Sequence, residues 1–114
     1  MTRIYKILPR AEWEAARAAG RFEGSAVDHA DGFIHFSAAD QAEETARRYF
    51  AGQADLYVLV VDAETLGPAL KWEPSRGGAL FPHLFAPLDC GQVLEARPAP
   101  LRADGAPDLG ELIP

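Results

Sequence analysis

The chain has 114 residues, of which 48% are hydrophobic and 25% charged, and a formal net charge of −6. This length predicts one domain, residues 1–114, with a core over about 4–97 and an irregular tail over 98–114. The negative charge argues against a DNA partner, because phosphate contacts draw affinity from Lys and Arg. No apolar run approaches the ~20 residues of a membrane span. With the single Cys90 no internal disulfide is possible, and we expect a cytoplasmic protein.

The first elements follow from strand alternation and helix signals. Residues 4–8 are predicted to form a strand that carries Lys6. Pro9 suits the first turn of a helix, and Gly20 is a natural stop. Residues 21–30 are predicted as a loop or a short extended segment.

The stretch 28–37, with the sequence DHADGFIHFS, holds two acids, two of the three histidines, a glycine and a serine around a short apolar run. Residues 33–36 are predicted as a buried strand. Because side chains alternate across a strand, His35 and Ser37 share one face. A second helix is predicted to begin at Ser37, whose hydroxyl would cap it.

The second half is predicted to be mainly strands. Residues 55–62 are apolar on both faces, which is typical of a central strand. Residues 69–73 alternate as an outer strand with one wet face, and 92–97 form the last strand. Polar groups and a Gly-Gly pair in 74–85 favour a mobile flap, or else a hairpin whose aromatics pack on the core. The order predicts a compact α+β domain with two helices in its N-terminal half and mixed or antiparallel sheets.

Two constellations could carry catalysis. Asp28, Asp31, His35 and His83 could converge, but no two histidines have the spacing of a known metal site, so no metal is predicted. Ser37, His35 and Asp31 could form a nucleophilic triad. Ser37 and His35 lie about 6–7 Å apart along the strand, which is loose for a hydrogen bond.

Binding of a small polar ligand is the broadest interpretation. His35 and Ser37 would form one wall of a pocket, Lys71 and Glu73 another, and the segment from Arg76 to His83 a lid. In the alternative, each histidine is a buried residue with satisfied hydrogen bonds.

Several motifs together resemble a family of small bacterial proteins called domain of unknown function 952. The resemblance covers about residues 4 to 97. The residues that carry it are Tyr5-Lys6-Ile7, Trp13, Gly24-Ser25, Asp28, Asp31 to Ser37, Gln41, Lys71-Trp72-Glu73 and Phe81-Pro82-His83-Leu84.

That family is in turn similar to the ADP-ribosyltransferase fold, which includes the tRNA 2′-phosphotransferases. This resemblance implies an ADP-ribosylation-like fold in which a cleft between two small sheets holds NAD. Residues 32–37 resemble the strand of that fold that precedes a helix. Tyr5 or Lys6 stands where the fold has its first polar residue, and Glu73 matches its late glutamate. The first position lacks the usual His or Arg, and the acceptor loop before the glutamate is not recognisable.

The resemblance implies a domain that binds NAD or an ADP-ribose-like nucleotide, with NAD-dependent ADP-ribosyl-transfer-type chemistry or phosphotransfer through an ADP-ribosylated intermediate. His35 would position the ligand or shuttle a proton, and Glu73 would stabilise positive charge. The alternatives are a non-catalytic binding or interaction module, and a hydrolase that uses His35 and an acid. The oligomeric state is left open. The predicted ligand-binding residues are Ser37, Asp28, Asp31, Lys71, Trp72, Arg76, His83 and Lys6.

Overall fold

The main sheet is built around two long apolar strands. In a computed structural model that describes residues 1–114, β1 (Arg3–Pro9) and β5 (Leu56–Asp62) pair antiparallel along their whole length. β4 (Ser37–Ala38) and β9 (Val93–Ala99) flank them, in the order β4-β1-β5-β9. The prediction of a central strand over 55–62 is confirmed.

Two smaller sheets complete the strand structure. β3 (Ile34–His35), β7 (Leu80–Leu84) and β6 (Leu70–Pro74) form a three-stranded sheet with β7 in the middle. β2 (Arg21–Phe22) pairs with β8 (Leu88–Asp89). Every strand pair in the molecule is antiparallel, so the α+β prediction is confirmed in its antiparallel form.

Three α-helices lie in the first half of the chain: α1 (Arg10–Ala19), α2 (Ala26–Asp31) and α3 (Ala42–Tyr49). α1 ends as predicted at Gly20, which has a left-handed φ of 89°. No helix combines the length and the apolar character that crossing a membrane requires. Short 3₁₀ turns occupy 63–69, 76–78 and 90–92.

The alternation along β1 divides the core between the two faces of the main sheet. Ile4 and Leu8 belong to a cluster with Trp13 of α1, whereas Tyr5 and Ile7 belong to a second cluster that packs against α3. Both faces of the central strands are therefore buried.

Two local predictions are wrong. The loop over 21–30 contains α2, a helix stabilised by a capping box between Ser25 and Asp28. Its six residues are too few to show a helical period in the sequence. Ser37 is not a helix cap, because it lies in β4 opposite Tyr5, and α3 begins only after Gln41. Pairing with β1 satisfies the backbone of Ser37 in place of a helix.

The C-terminal tail contributes to the core and does not simply lie over the surface. β9 continues to Ala99, beyond the predicted end at residue 97. Leu109 is fully buried in the α3 cluster. The hydroxyl of Tyr5 donates to the carbonyl of Ile113 at 2.8 Å and accepts from its N–H at 2.7 Å. The tail thus covers the face of the main sheet that α3 leaves open.

Removal of the Leu109 side chain tests this role of the tail. Leu109→Ala is expected to lower the free energy of unfolding by ~2–5 kcal/mol, because it opens a cavity in a closed core. Leu101, which is 41% exposed, is the matched control, and Leu101→Ala should stay within about 0.5 kcal/mol of the parent. Urea denaturation measures both, and a change in Leu109→Ala that also stays within about 0.5 kcal/mol would show that this part of the tail is not in the core.

Candidate functional site

A cleft of about 580 Å³ opens where β1, β3, β4, α3 and β7 meet. Its size lies within the range of small-molecule sites. Seven of its fifteen lining residues are hydrophobic and the others are polar or charged. The lining residues are Tyr5, Lys6, Ile7, Val27, Asp31, His35, Phe36, Ser37, Thr45, Tyr49, Phe50, Ser75, Arg76, Phe81 and His83.

A buried ion pair lies at the base of the cleft. Nζ of Lys6 donates to both carboxylate oxygens of Asp28, at 3.0 and 2.9 Å. The two side chains are only 5% and 2% exposed. Lys6 comes from β1 and Asp28 from α2, so the pair fixes α2 against the main sheet.

The Asp28 carboxylate also accepts hydrogen bonds from groups other than Lys6. It accepts backbone N–H groups of Ser25 at 2.8 Å and His35 at 3.1 Å, and Nδ1 of His35 at 2.6 Å. Burial by itself would raise the pKa of Asp28, but the His35 hydrogen bond, the Lys6 charge and the Ser25 N–H outweigh it and hold that pKa well below its usual range. Burial lowers the pKa of Lys6, and the carboxylate offsets part of this effect.

His35 lies between two carboxylates. Its Nδ1 faces Asp28 at 2.6 Å, and its Nε2 faces Asp31 at 2.8 Å. A carboxylate only accepts hydrogen bonds, so the ring makes both bonds only when both nitrogens carry protons. Neither nitrogen is left for a ligand in this arrangement.

His83 stands opposite His35 in the β3–β7 pair and has different partners. Its Nδ1 donates to Oε1 of Glu73 at 2.8 Å. Phe33 stacks on the ring with centroids 4.0 Å apart. His83 is 5% exposed and lines the cleft, whereas Glu73 stands behind it on β6.

Arg76 closes the other end of the cleft. Its guanidinium lies over the rings of Phe81, at 4.9 Å, and Tyr49, at 5.8 Å. Its Nη2 donates to the hydroxyl of Thr45 at 3.3 Å and lies 3.4 Å from Glu44. The side chain is 17% exposed, so this end combines a cation that is largely desolvated with aromatic faces.

The predicted site residues fall into three groups. Lys6, Asp31, His35, Ser37, Arg76 and His83 line the cleft. Asp28 does not line it but bonds to two of them, Lys6 and His35. The three neighbours Lys71, Trp72 and Glu73 do not line it.

The position of β6 explains the last group. β6 is an edge strand, and Trp72 on it is 40% exposed. The Lys71 ammonium lies over Phe85, 5.5 Å from the ring centroid, outside the cleft. Glu73 reaches the cleft only through its bond to His83.

Neither catalytic constellation assembles as the residues suggested. No three His, Cys, Asp or Glu side chains are grouped to hold a metal ion. The Ser37 hydroxyl lies 3.1 Å from that of Thr45, and both nitrogens of His35 face acids instead. A Ser37–His35–Asp31 triad is therefore not formed.

Sequence analysis missed Thr45, Tyr49 and Phe81 as lining residues. Thr45 and Tyr49 are four apart on α3 and so share a helix face. A hydroxyl on both residues was a signal that this face is not simply core. Phe81 lies within the segment predicted as a lid, but its place under Arg76 depends on the turn at 76–78, which the sequence did not predict.

Comparison with known proteins places the chain among relatives of unknown role. The family model described as "Protein of unknown function (DUF952)" matches residues 7–96. An X-ray structure of protein CC0527 from Caulobacter crescentus has 63% sequence identity and a TM-score of 0.91, covering 93% of each chain. A solution NMR structure of CC0527 has 64% identity and a TM-score of 0.87, covering 96% of this chain and 95% of that one. No curated protein matches.

Substitution of the two partners of the Lys6–Asp28 ion pair is expected to lower the free energy of unfolding by unequal amounts. Asp28→Asn leaves Lys6 charged in a buried place, and we expect a loss of ~3–5 kcal/mol in the free energy of unfolding. Lys6→Met should cost less, because Asp28 keeps its bonds from Ser25 and His35. The exposed Asp31 is the control, and Asp31→Asn should cost less than about 1 kcal/mol. Urea denaturation gives all three values, and a larger loss for Lys6→Met would contradict this account.

The lowered pKa of Asp28 also predicts an acid-dependent loss of stability. As the pH falls, the unfolded chain protonates this group first, at its ordinary pKa of about 3.9. The contribution of Asp28 is therefore fully present above that value and is lost as the pH falls towards the native pKa. The free energy of unfolding should fall steeply below about pH 4 in the parent and less steeply in Asp28→Asn. Parallel curves would show that Asp28 is not the group responsible.

Proposed function

We propose that this chain, which belongs to the DUF952 family of proteins of unknown function, binds a nucleotide-like small molecule of the NAD or ADP-ribose class in its cleft. Such a ligand offers both phosphate groups and flat rings. The proposal includes the view that the main sheet and the three-stranded sheet are a compact version of the ADP-ribosylation-like fold.

Arg76 is the observation that carries the proposal. A guanidinium has five N–H donors in a planar fork that suits phosphate oxygens. Arg76 uses Nη2 towards Thr45 and Glu44, which leaves other donors for a ligand. Lys6, the other long basic side chain in the lining, is already neutralised by Asp28. Arg76 also pairs with Glu44, but that carboxylate is exposed and 3.4 Å away, so Arg76 is the less fully neutralised of the two cations.

Aromatic and hydroxyl groups around Arg76 suit the rest of such a ligand. Tyr49 and Phe81 offer ring faces on which an adenine or nicotinamide ring could stack. Ser37, Thr45 and Ser75 offer hydroxyls within the same lining. A volume of about 580 Å³ accommodates a ligand of this size class.

The contacts of His35 and Glu73 favour a binding module as the second candidate. Both were assigned to ADP-ribosyl-transfer-type chemistry. His35 is held by two carboxylates, and Glu73 is bonded to His83 and does not line the cleft. The cleft could therefore bind its ligand without turning it over.

Saturation-transfer NMR with NAD, ADP-ribose and nicotinamide tests the proposal. ADP-ribose should show a saturation-transfer signal with the parent protein. Arg76→Ala should weaken its binding about tenfold or more, the effect of losing hydrogen bonds from a charged donor to phosphate. Lys71→Ala removes a cation of the neighbouring sheet that lies outside the cleft, and it should leave binding unchanged.

The same samples followed for hours separate the two candidates. Slow release of nicotinamide from NAD would support transfer chemistry, and binding without release would support the module. Absence of a saturation-transfer signal from all three ligands would refute the proposal. Equal losses of ADP-ribose binding in Arg76→Ala and Lys71→Ala would refute it as well.

A further inference from the structure

We propose that His83 is the proton acceptor of the cleft and that Glu73 is its positioning residue. The nature of the ligand that meets His83 rests on the proposed function. The assignment of the proton acceptor rests on hydrogen-bond geometry alone, and it transfers to His83 the role that the sequence suggested for His35.

The two nitrogens of His83 have separate roles. Nδ1 is 2.8 Å from Oε1 of Glu73, and because a carboxylate accepts, Nδ1 carries the proton in the neutral ring. Nε2 then presents a lone pair. The molecule contains one fully buried side-chain polar atom without a partner, and it belongs to Arg102. Nε2 of His83 has no protein partner and is not among the fully buried unpartnered atoms, so it is accessible, and His83 is one of the residues that line the cleft.

The surroundings hold this nitrogen in place. Phe33 stacks on the imidazole at an interplanar angle of 24°, and the ring is 5% exposed. β7 is the middle strand of its sheet, with β3 on one side and β6 on the other. The lone pair therefore has a fixed direction, and a ligand group need not compete with bulk water for it.

His35 is the natural comparison within the same sheet. It is more exposed than His83, at 32% for the side chain, yet both its nitrogens face carboxylates. His35 is thus the more exposed of the two residues, whereas His83 is the one with an available lone pair. This opposition allows a test that does not depend on any ligand.

Nε2 of His83 would accept a hydrogen bond from a ligand hydroxyl, such as one on a ribose. In a turnover of NAD with water, His83 would take the proton of the attacking water. The water oxygen forms a bond to the ribose carbon, and the bond from that carbon to the nicotinamide nitrogen breaks, its electron pair leaving with neutral nicotinamide. The proton then passes from His83 to solvent, so the products are ADP-ribose, nicotinamide and one proton.

Nitrogen-15 NMR of the imidazole rings tests the role of Glu73. At mildly alkaline pH, His83 should show a proton on Nδ1 and none on Nε2. In Glu73→Ala the ring should shift towards the opposite tautomer, since the carboxylate that selects Nδ1–H is gone. A proton on Nε2 in the parent, or an unchanged tautomer in Glu73→Ala, would overturn the proposal.

Acylation by diethyl pyrocarbonate tests the lone pair in the unmodified protein. An unprotonated imidazole nitrogen attacks one carbonyl carbon, forms an N–C bond and expels ethyl carbonate, which decomposes to ethanol and carbon dioxide. Mass spectrometry should show His83 reacting faster than His35, with the exposed His29 as an internal reference. An order that follows exposure, with His35 before His83, would overturn the proposal.

Addition of ADP-ribose separates this inference from the proposed function. Protection of His83 from acylation, with His29 unaffected, would support both. Reaction of His83 ahead of His35 without protection by ADP-ribose would support His83 as the proton acceptor and count against the NAD class of ligand. Protection of His35 with no reaction at His83 would overturn the inference while leaving the cleft as the binding site.

Discussion

The Lys6–Asp28 ion pair is the interaction on which the geometry of the site depends. It joins the central strand β1 to α2, and the same carboxylate accepts the backbone and the ring of His35 at the start of the second sheet. Three different secondary-structure elements thus meet at one carboxylate. A buried charge pair is costly unless its remaining hydrogen-bonding capacity is used, and here the donors of Ser25 and His35 use it.

This arrangement divides the cleft into two regions of different character. Around Asp28 the polar groups are saturated by one another, so this region is structural. Around Arg76 and His83, N–H donors and one imidazole nitrogen remain available. Ligand recognition is therefore expected from groups on the β6–β7 hairpin, while the motif over residues 28–37 supports the structure around them.

The motif over residues 28–37 was predicted from the sequence in part. Alternation correctly placed Ile34 and Phe36 in the core, and His35 and Ser37 line the cleft, although the buried Phe36 lines it as well. It could not distinguish a helix cap from a strand at Ser37, because a serine before an alanine-rich segment fits both. The choice depended on a strand partner, Tyr5, that lies 32 residues earlier in the chain. The strand over 69–73 was predicted correctly as an outer strand. Its contacts with the neighbouring strand β7, such as the hydrogen bond between Glu73 and His83, were not predicted.

The sequence by itself determined the α+β class, the central strand and the end of α1, since these depend on local periodicity and turn chemistry. Six of the fifteen residues that line the cleft were also among the predicted site residues. The family resemblance found in the motifs is matched by the family model over residues 7–96. Only the tertiary structure decided which polar groups neutralise one another. Asp28 belongs to Lys6 and His35, Glu73 belongs to His83, and Trp72 faces solvent. Such pairings depend on how the strands and helices pack against one another in three dimensions, and a single sequence carries no local signal for that packing.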